Sequence, residues 1–390
     1  MSSRKYDYNG MYYFALCLLI IRFTLMGYRQ YIELPVFLMA IPLLLLKVIG
    51  TRYTREEIVK IILVVMICGI ATVVSKQKLA MWSGLVLIAS KGIDYKKMFR
   101  YCFYTQLLML AAIIIIPFFT GDEIFQMIYR SGTQQVVKRY QFGIGHPNGL
   151  QFLALQITIT YMGMKGKLLK KQQIVFFAMI NTMFVILSKS RTSYGIFWLA
   201  VLLIIMFQFK KGRYLGRFLV WTPVVCVSFC ILCTRLIVLG GFLIQKLDSL
   251  FEHRLIFASR YIAKYPFNVM GHYIFELTLE GAETNTALDC GYINLSLNNG
   301  LLMLIPFILL FTLTLNHLYK TRQYAFFLIG VLYSVYFIME GALLGFYKDL
   351  FIIMFGLVLF RQRRAAVEPG KGLYLHDLCT DNRRFGKPVL

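Results

Sequence analysis

Apolar runs of helical length recur along nearly all of this 390-residue chain, and short clusters of Lys and Arg separate them. A backbone in hydrocarbon has no water to bond with, so a run of about 17–25 apolar residues predicts a membrane-spanning helix. Twelve runs qualify, and because the fourth and the last are short, the range is ten to twelve. The runs are 11–28, 34–50, 58–75, 79–92, 99–119, 145–164, 173–188, 193–209, 217–240, 290–315, 323–345 and 347–360. The sequence therefore predicts an all-α, polytopic membrane helix bundle with about twelve transmembrane helices.

The distribution of charge predicts which side of the membrane each connection faces. A net charge of +24 would suit a nucleic-acid-binding protein, but the cations are not gathered on one soluble face, which argues against nucleic acid. Lys and Arg concentrate in alternate connections, and the positive-inside rule places those connections in the cytoplasm. The basic segments are 4–5, 47–60, 91–100, 165–171, 210–217, 320–322 and the tail from 361 onward. An even number of spans then puts both termini in the cytoplasm.

The cysteines and the short motifs predict neither a metal nor a cofactor. Most of the eight cysteines lie within apolar runs, and Cys226, Cys230 and Cys233 share one helical face. Thiolate metal ligands usually come in closely spaced pairs with polar partners, so these cysteines are expected to be packing residues. The sequence contains no Walker-type loop, HExxH or GxSxG. Their absence argues against an ATP-driven machine, a zinc protease and a nucleotide-sugar transferase.

The predicted topology leaves two sizeable extracytoplasmic segments, at about 120–144 and 241–289. The second is the longest polar stretch between spans and contains six of the eighteen acidic residues. Loops longer than about 15 residues in a compact protein are usually functional or disordered, and this one is not of low complexity, so we expect function there. No repeat or linker divides the chain. Residues 1–364 are therefore predicted to form one membrane domain, followed by a polar cytoplasmic tail at 365–390.

Residues 247–265 of the second segment have the periodicity of an amphipathic helix, with Arg254 near the middle of its apolar arc. One interpretation is a helix that lies flat at the membrane interface, with the Arg254 side chain extending to water. The other is that Arg254 faces inward and pairs with an anion, because a buried cation without a partner would be costly. The sequence leaves both interpretations open.

Two short motifs at predicted extracytoplasmic helix ends carry groups that suit an anion. GHPNG at 145–149 opens a span with proline at its first position, where backbone N–H groups can hold an anion and His146 adds a donor. SKSRTS at 188–193 places Lys189 and Arg191 where the positive-inside trend would not put cations. A plain helix start and interface anchoring are the structural interpretations. Binding of phosphate or pyrophosphate is the functional one.

Further ionisable residues lie on the same predicted face or inside spans. Asp289 precedes the tenth span, where it either caps the helix or takes a proton from a substrate hydroxyl. Arg22 lies within the first span, and ionisable groups in such positions tend to mark functional cavities. The remaining extracytoplasmic charges are Arg130, Lys138, Arg139, Arg235 and Glu340.

These motifs, in their order and on their predicted side, resemble those of bacterial polysaccharide polymerases. HPN stands at 146–148, SKSR at 188–191, HRLIFASRYIAKYP at 253–266, and DCGY at 289–292 ahead of NNGLL. Over residues 130–310 the chain resembles the Wzy-like group of the O-antigen polymerase and ligase superfamily. The spacing from Arg260 to Gly271 also resembles an arginine–glycine pattern of some of these polymerases.

The resemblance implies an enzyme that polymerises oligosaccharide repeat units carried on undecaprenyl pyrophosphate into capsular, exopolysaccharide or O-antigen chains. It implies a site at the outer face of the bacterial cytoplasmic (inner) membrane, where the lipid-linked glycan and the bilayer are the partners. A chain-length regulator and a flippase are candidate protein partners. Neither a metal nor a nucleotide donor is implied.

The resemblance also implies roles for individual residues. Cations such as Arg254 and Arg191 would stabilise the charge that develops on the departing pyrophosphate. The candidate general bases are His146, Asp289, Glu280 and Glu283. The candidate substrate-binding residues are Arg191, Lys189, Arg260, Asn148, Arg139 and Tyr292.

Two alternative functions remain open at this stage. A ligase of the same superfamily would move a finished glycan onto another acceptor, and the chain pattern does not exclude it. A multi-span flippase for lipid-linked oligosaccharides would more naturally show paired halves and short outer loops. The unequal halves and the long, late loop of this sequence favour an enzyme over a transporter.

Overall fold

The computed structural model describes residues 8–25, 29–121, 123–129, 136–142, 144–251, 253–274, 288–341, 343–360 and 373–374. These ranges contain fifteen α-helices, two short 3-10 helices and two small antiparallel sheets, which confirms the predicted all-α class. The α-helices are α1 (Tyr8–Thr24), α2 (Arg29–Ile49), α3 (Arg55–Ser75), α4 (Leu79–Ala89), α5 (Tyr95–Thr120), α6 (Pro147–Lys165), α7 (Lys171–Ser188), α8 (Arg191–Gln208), α9 (Lys210–Leu219), α10 (Thr222–Leu236), α11 (Phe242–Leu250), α12 (Arg254–Lys264), α13 (Gly291–Lys320), α14 (Tyr324–Tyr336) and α15 (Gly356–Leu359). The other elements are β1 (Arg52–Tyr53), β2 (Phe125–Tyr129), β3 (Val136–Tyr140), β4 (Leu373–Tyr374) and the 3-10 helices Ile237–Leu239 and Leu350–Phe355.

Seven described helices are long and apolar enough to cross a membrane, and the chain is therefore a multi-pass membrane protein. They are α2, α3, α5, α7, α8, α10 (with the 3-10 turn that follows it) and α13. Their surfaces expose large apolar side chains, for example Val59 and Met66 on α3 and Phe176 and Met179 on α7. Continuous exposed apolar surface of this kind is expected of helices that face lipid.

The prediction of about twelve spans, with ten as its lower limit, is wrong. The other five predicted runs form helices that are too short or too polar to qualify as membrane spans. α4 and α14 have 11 and 13 residues, and at about 1.5 Å per residue they fall well short of a hydrocarbon core of about 30 Å. The last run is a six-residue 3-10 helix followed by the four residues of α15. α1 has 17 residues, and α6 contains several polar side chains that lower its mean hydropathy.

Those polar side chains place α6 at the centre of the bundle. Fourteen of its 19 residues are buried, so each polar group among them needs a partner within the protein. Oε1 of Gln156 accepts hydrogen bonds from the Tyr333 hydroxyl (3.0 Å) and the Gln106 amide (3.3 Å). The Thr160 hydroxyl in turn donates to Oε1 of Gln106 (2.9 Å). This network joins α5, α6 and α14 through a polar core that composition alone would not place in a membrane protein.

The first predicted extracytoplasmic segment contains a β-hairpin. β2 and β3 pair in antiparallel register, with Phe125 opposite Tyr140. The Lys138 ammonium lies 3.8 Å from the centroid of the Phe125 ring, a cation–π contact across the two strands. The hairpin therefore gives a defined position to the residue that follows Lys138, Arg139.

Two smaller predictions concern the cysteines and the tail. Cys226, Cys230 and Cys233 are free and buried, which confirms that they are packing residues.

Of the predicted tail at 365–390, the structure describes Leu373–Tyr374, which pairs as β4 with β1. This pairing brings together two segments that the charge pattern assigns to the same side of the membrane.

α13 is interrupted at Gly300, whose backbone (φ 75°, ψ 174°) is not helical. The chain after α12 packs against this break. There, the His272 N–H donates to the Leu297 carbonyl (2.7 Å) and the Leu301 N–H to the Asn268 carbonyl (3.0 Å). A β-carbon on Gly271 or on Gly300 would collide with the facing backbone. Both positions therefore require glycine. Packing alone explains why residue 271 is a glycine, and its spacing from Arg260 is not needed as a reason.

We expect Gly300→Ala to destabilise the protein by more than the roughly 1–3 kcal/mol that such a backbone conformation costs a residue with a β-carbon. The additional cost comes from the collision with the backbone of the segment after α12. Thermal unfolding of the detergent-solubilised protein measures the effect. Gly195→Ala in α8 is the matched control, because no atom lies within 4 Å of its added β-carbon and alanine favours a helix by about 1 kcal/mol. Equal melting temperatures for the two variants would contradict the prediction.

Candidate functional site

The position of Arg254 depends on a carboxylate that caps α12 from the preceding helix. α11 and α12 are separate helices rather than the single helix predicted over 247–265, because His253 adopts a left-handed conformation (φ 64°) between them. Oδ1 of Asp248 accepts hydrogen bonds from two backbone N–H groups in the first turn of α12 (2.9 and 3.2 Å). It thereby satisfies donors that an N-cap residue usually satisfies. Oδ2 of Asp248 lies 3.2 Å from Nδ1 of His253, so both sides of the turn are held.

The Arg254 side chain faces inward and is only 10% exposed. Its Nη2 lies 3.5 Å from Oδ2 of Asp289, and its Nη1 lies 4.0 Å from Oε1 of Glu340. The interpretation of Arg254 as an inward-facing cation paired with an anion is confirmed. The alternative in which the Arg254 side chain extends to water is wrong, because that side chain is buried and α12 packs against α10.

Gly291 allows Asp289 and Glu340, which are distant in the chain, to lie close together. The Gly291 N–H donates to the carbonyl of Phe337 (2.9 Å). A β-carbon on Gly291 would lie 3.0 Å from that oxygen and 2.5 Å from the carbonyl oxygen of Glu340, so only glycine permits this approach. The start of α13 therefore packs directly on the segment after α14. Asp289 and Glu340 then lie on either side of Arg254.

Lys348 completes the group and was not predicted. Its Nζ lies 3.7 Å from Oε2 of Glu340, and its carbonyl oxygen accepts a hydrogen bond from the Gln156 amide of α6. Lys348 lies at the edge of the predicted span 347–360, where a charge ordinarily indicates a helix boundary. Two adjacent charges, Lys348 and Asp349, between two apolar runs are the signal that could have identified it. We call Arg254, Asp289, Glu340 and Lys348 the charged cluster.

Arg139 joins the hairpin to two of the predicted motifs. Its Nη2 donates to Oδ1 of Asn148 at the start of α6 (2.6 Å), and its Nε donates to the carbonyl of Ser188 (2.7 Å). Ser188 ends α7, where the final carbonyl groups have no partner within the helix. The hairpin, HPN and SKSR therefore meet at one place, as their common predicted side implied.

His146 lies near Arg139 and near the charged cluster, because the charges of both act on its ring. It caps α6, and its Nδ1 accepts a hydrogen bond from the Asn148 N–H (3.2 Å). Partial burial lowers the pKa of His146, the Arg139 guanidinium lowers it further, and Asp289 opposes both effects. The ring is therefore neutral near pH 7, and its proton is on Nε2. In this state Nε2 of His146 offers a hydrogen-bond donor, and the general-base role of the neutral ring stays a prediction.

Glu340 is the least exposed carboxylate of the charged cluster, with a side chain 14% exposed. Burial raises the pKa of Glu340 above its usual value, while the nearby Lys348 and Arg254 oppose that rise. Its charge therefore depends on these two cations, which it in turn holds in position.

The charged cluster is open to a further ligand. Its ion pairs measure 3.5, 4.0 and 3.7 Å, whereas charge-assisted hydrogen bonds are about 2.7–2.9 Å long. Nη1 of Arg254 is buried and donates no hydrogen bond to any residue in the described ranges. An unsatisfied buried donor costs about 1–3 kcal/mol, and a bound anion would recover that cost. The charged cluster contains two cations and two carboxylates, and Arg139 adds a third cation near His146.

Three cations predicted to bind substrate, Lys189, Arg191 and Arg260, are exposed. Lys189 follows α7 in a left-handed conformation (φ 55°), and Arg191 begins α8. The Arg260 guanidinium lies 5.9 Å from the ring centroid of Phe257 on the same helix. None of the three forms an ion pair with a residue that the structure describes. Their roles in substrate binding stay predictions.

Tyr292 and Arg22 are buried, and two of the predicted general bases fall outside the described ranges. Tyr292 is fully buried and its hydroxyl donates to the Ser334 carbonyl (2.8 Å), so it packs in the core rather than facing a ligand. Glu280 and Glu283 lie outside the described residues. Arg22 of α1, for which no partner was predicted, pairs with Glu33 of α2 (2.6 Å).

Comparison with protein-family models, with curated proteins and with solved structures finds no match to this chain.

Proposed function

We propose that this protein polymerises oligosaccharide repeat units carried on undecaprenyl pyrophosphate, at the outer face of the bacterial cytoplasmic membrane. The growing chain leaves its lipid carrier and joins the non-reducing end of a new lipid-linked unit. The proposal rests on the sequence resemblance together with the charged cluster, whose Arg254 and Asp289 belong to the motifs that carry the resemblance. The substrate is amphiphilic, which fits a site built on a multi-pass membrane protein.

The open geometry around Arg254 is the observation that carries the proposal. An arginine has five donors in a fixed fork that matches phosphate oxygens, and here one terminal nitrogen is buried without a hydrogen bond to a described residue. Lys348 adds a compact charge, and Nε2 of His146 adds a neutral donor. These groups suit a pyrophosphate whose negative charge increases as it departs.

The transfer assigns different tasks to the two carboxylates. An acceptor hydroxyl attacks the anomeric carbon of the donor glycan, and the bond from that carbon to the pyrophosphate oxygen breaks as the new glycosidic bond forms. The electron pair leaves with undecaprenyl pyrophosphate, and the hydroxyl proton passes to a carboxylate. Asp289 suits this proton transfer because its side chain is 39% exposed. Glu340 is more buried and holds Arg254 and Lys348 in position.

Contacts between connections support the proposed orientation. Lys91 pairs with Glu57 (2.5 Å), which joins two connections that the positive-inside rule assigns to the cytoplasm. The Lys76 ammonium lies 4.4 Å from the centroid of the Tyr273 ring, which joins two connections assigned to the outer side. Segments predicted to share a side therefore meet. Seven qualifying helices are an odd number, so the parity argument for two cytoplasmic termini no longer holds. A flippase and a chain-length regulator are the proposed protein partners.

Deletion of the gene tests the proposed function. We expect the deletion strain to accumulate single repeat units on the lipid carrier at the outer leaflet and to lack long chains, with both defects reversed by the intact gene. Lipid extraction and gel analysis of the polysaccharide measure the two effects. Accumulation on the cytoplasmic leaflet would instead identify a flippase. Long chains that remain on their lipid carrier would identify a ligase.

A further inference from the structure

A polar cavity of about 190 Å³ lies beside the charged cluster. It is formed by the turn between α3 and α4, the first half of α13 and the segment after α14. The lining includes Gln77, Asn294, Asn299, Gly341, Leu343 and Leu344. Three neutral amides and four leucines therefore face a space much smaller than the roughly 300–1,000 Å³ of drug-sized ligand sites.

The amides are held in place by hydrogen bonds that leave two acceptors available. Nε2 of Gln77 donates to Oδ1 of Asn298 (3.3 Å), and Nδ2 of Asn299 donates to the Ser75 hydroxyl (3.4 Å). Nδ2 of Asn294 donates to the Leu288 carbonyl (3.0 Å). The side-chain carbonyl oxygens of Gln77 and Asn299 accept no hydrogen bond from any residue in the described part of the chain. Both remain acceptors for the hydroxyl groups of a ligand.

The cavity and the charged cluster share a wall at Gly341. A β-carbon on Gly341 would lie 3.6 Å from the Cα of Asp289 and 3.4 Å from Nδ2 of Asn294. Asp289, the proposed proton acceptor, and the Asn294 amide therefore both lie next to Gly341. A ligand in the cavity would lie next to groups bound at the charged cluster.

We propose that this cavity binds one sugar ring of the lipid-linked glycan. Fixed neutral amides with available carbonyl oxygens recognise hydroxyl groups, and the leucines of the lining offer contact to the apolar face of a ring. No cation is among the described lining residues, so a phosphate is a poor fit. The volume suits a single ring rather than a whole repeat unit. The inference rests on the proposed function and adds a sugar subsite to it.

Binding to the purified full-length protein in lipid nanodiscs tests the subsite with two probes. One is the lipid-linked repeat unit extracted from the deletion strain, and the other is undecaprenyl pyrophosphate without a glycan. We expect the intact protein to prefer the glycan-bearing lipid. Gln77→Ala and Asn299→Ala should each weaken binding of that lipid about 3- to 10-fold, the effect of one lost hydrogen bond, without changing the affinity for the bare lipid.

Lys78→Ala is the matched control, because Lys78 is exposed on the same turn and does not line the cavity. Gln77 is also exposed, so its replacement tests the inference even if Asn299→Ala fails to fold. Unchanged preference for the glycan-bearing lipid in Gln77→Ala would overturn the sugar subsite and leave the proposed function intact. Failure of the intact protein to bind either lipid would overturn both.

Discussion

Replacing Arg254 with alanine is expected to reduce the rate of chain extension by about 10²–10³-fold, the usual effect of removing one group that stabilises developing negative charge. The guanidinium is the group between Asp289 and Glu340, and it supplies the buried donor that the described residues leave unsatisfied. The rate is measured with the purified protein and its lipid-linked repeat unit, by following the lengths of the glycan chains.

Two further variants separate chemistry from folding in the Arg254 experiment. Arg254→Lys keeps the charge and loses the forked donors, so we expect partial activity. Lys264→Ala removes an exposed cation from the same helix and should leave the rate unchanged. Removing one partner of a buried pair also destabilises the fold, by about 3–5 kcal/mol in strongly buried cases. Each rate is therefore compared at equal amounts of folded protein. A normal rate in folded Arg254→Ala would exclude Arg254 from the reaction.

Asp289→Asn is expected to reduce the rate about 10²–10⁴-fold, because it keeps the shape of the side chain and removes the proposed proton acceptor. Glu340→Gln should instead raise KM more than it lowers kcat, because Glu340 holds the cations that bind the pyrophosphate. Kinetic analysis with the lipid-linked repeat unit distinguishes the two variants. If Asp289→Asn retains the rate and Glu340→Gln loses it, the proton acceptor is Glu340.

The pH dependence of the same reaction provides a second readout for Glu340. Burial raises the pKa of Glu340 above the usual value of 4.5, and the carboxylate is charged only above its pKa. Acidification should therefore release Lys348 and Arg254 at a higher pH than an exposed glutamate would. We expect the rate of the intact protein to fall as the pH falls through this pKa. That part of the pH dependence should be missing from Glu340→Gln.

Helix positions were largely predictable, whereas the number of spans was not. The apolar run at 79–92 contains a helix as predicted, but α4 ends at Ala89 after 11 residues. The run at 145–164 is also helical, yet its buried amides pair with α5 and α14 inside the bundle. Hydropathy reports how readily a segment enters an apolar environment. It does not report whether that environment is lipid or the interior of the protein.

The candidate site was predicted in part. The apolar arc of 247–265 indicated that Arg254 was unusual, and the choice between an interfacial and an inward-facing side chain required the fold. That choice depends on Asp248, which caps α12 across a left-handed residue, a contact with no periodic signal. Lys348 was missed because a charge at the edge of an apolar run is ordinarily read as a helix boundary.

By itself, the sequence determined that this chain enters a membrane, where its helices lie, and which motifs carry charge on one predicted face. These properties follow from local composition, because each segment must satisfy its own backbone hydrogen bonds in hydrocarbon. Only the tertiary structure decided that Arg254, Asp289, Glu340 and Lys348 meet. Their meeting depends on Gly291 packing against the carbonyl groups of a segment almost 50 residues later. Such close backbone approaches are set by packing between distant segments, and no local pattern encodes them.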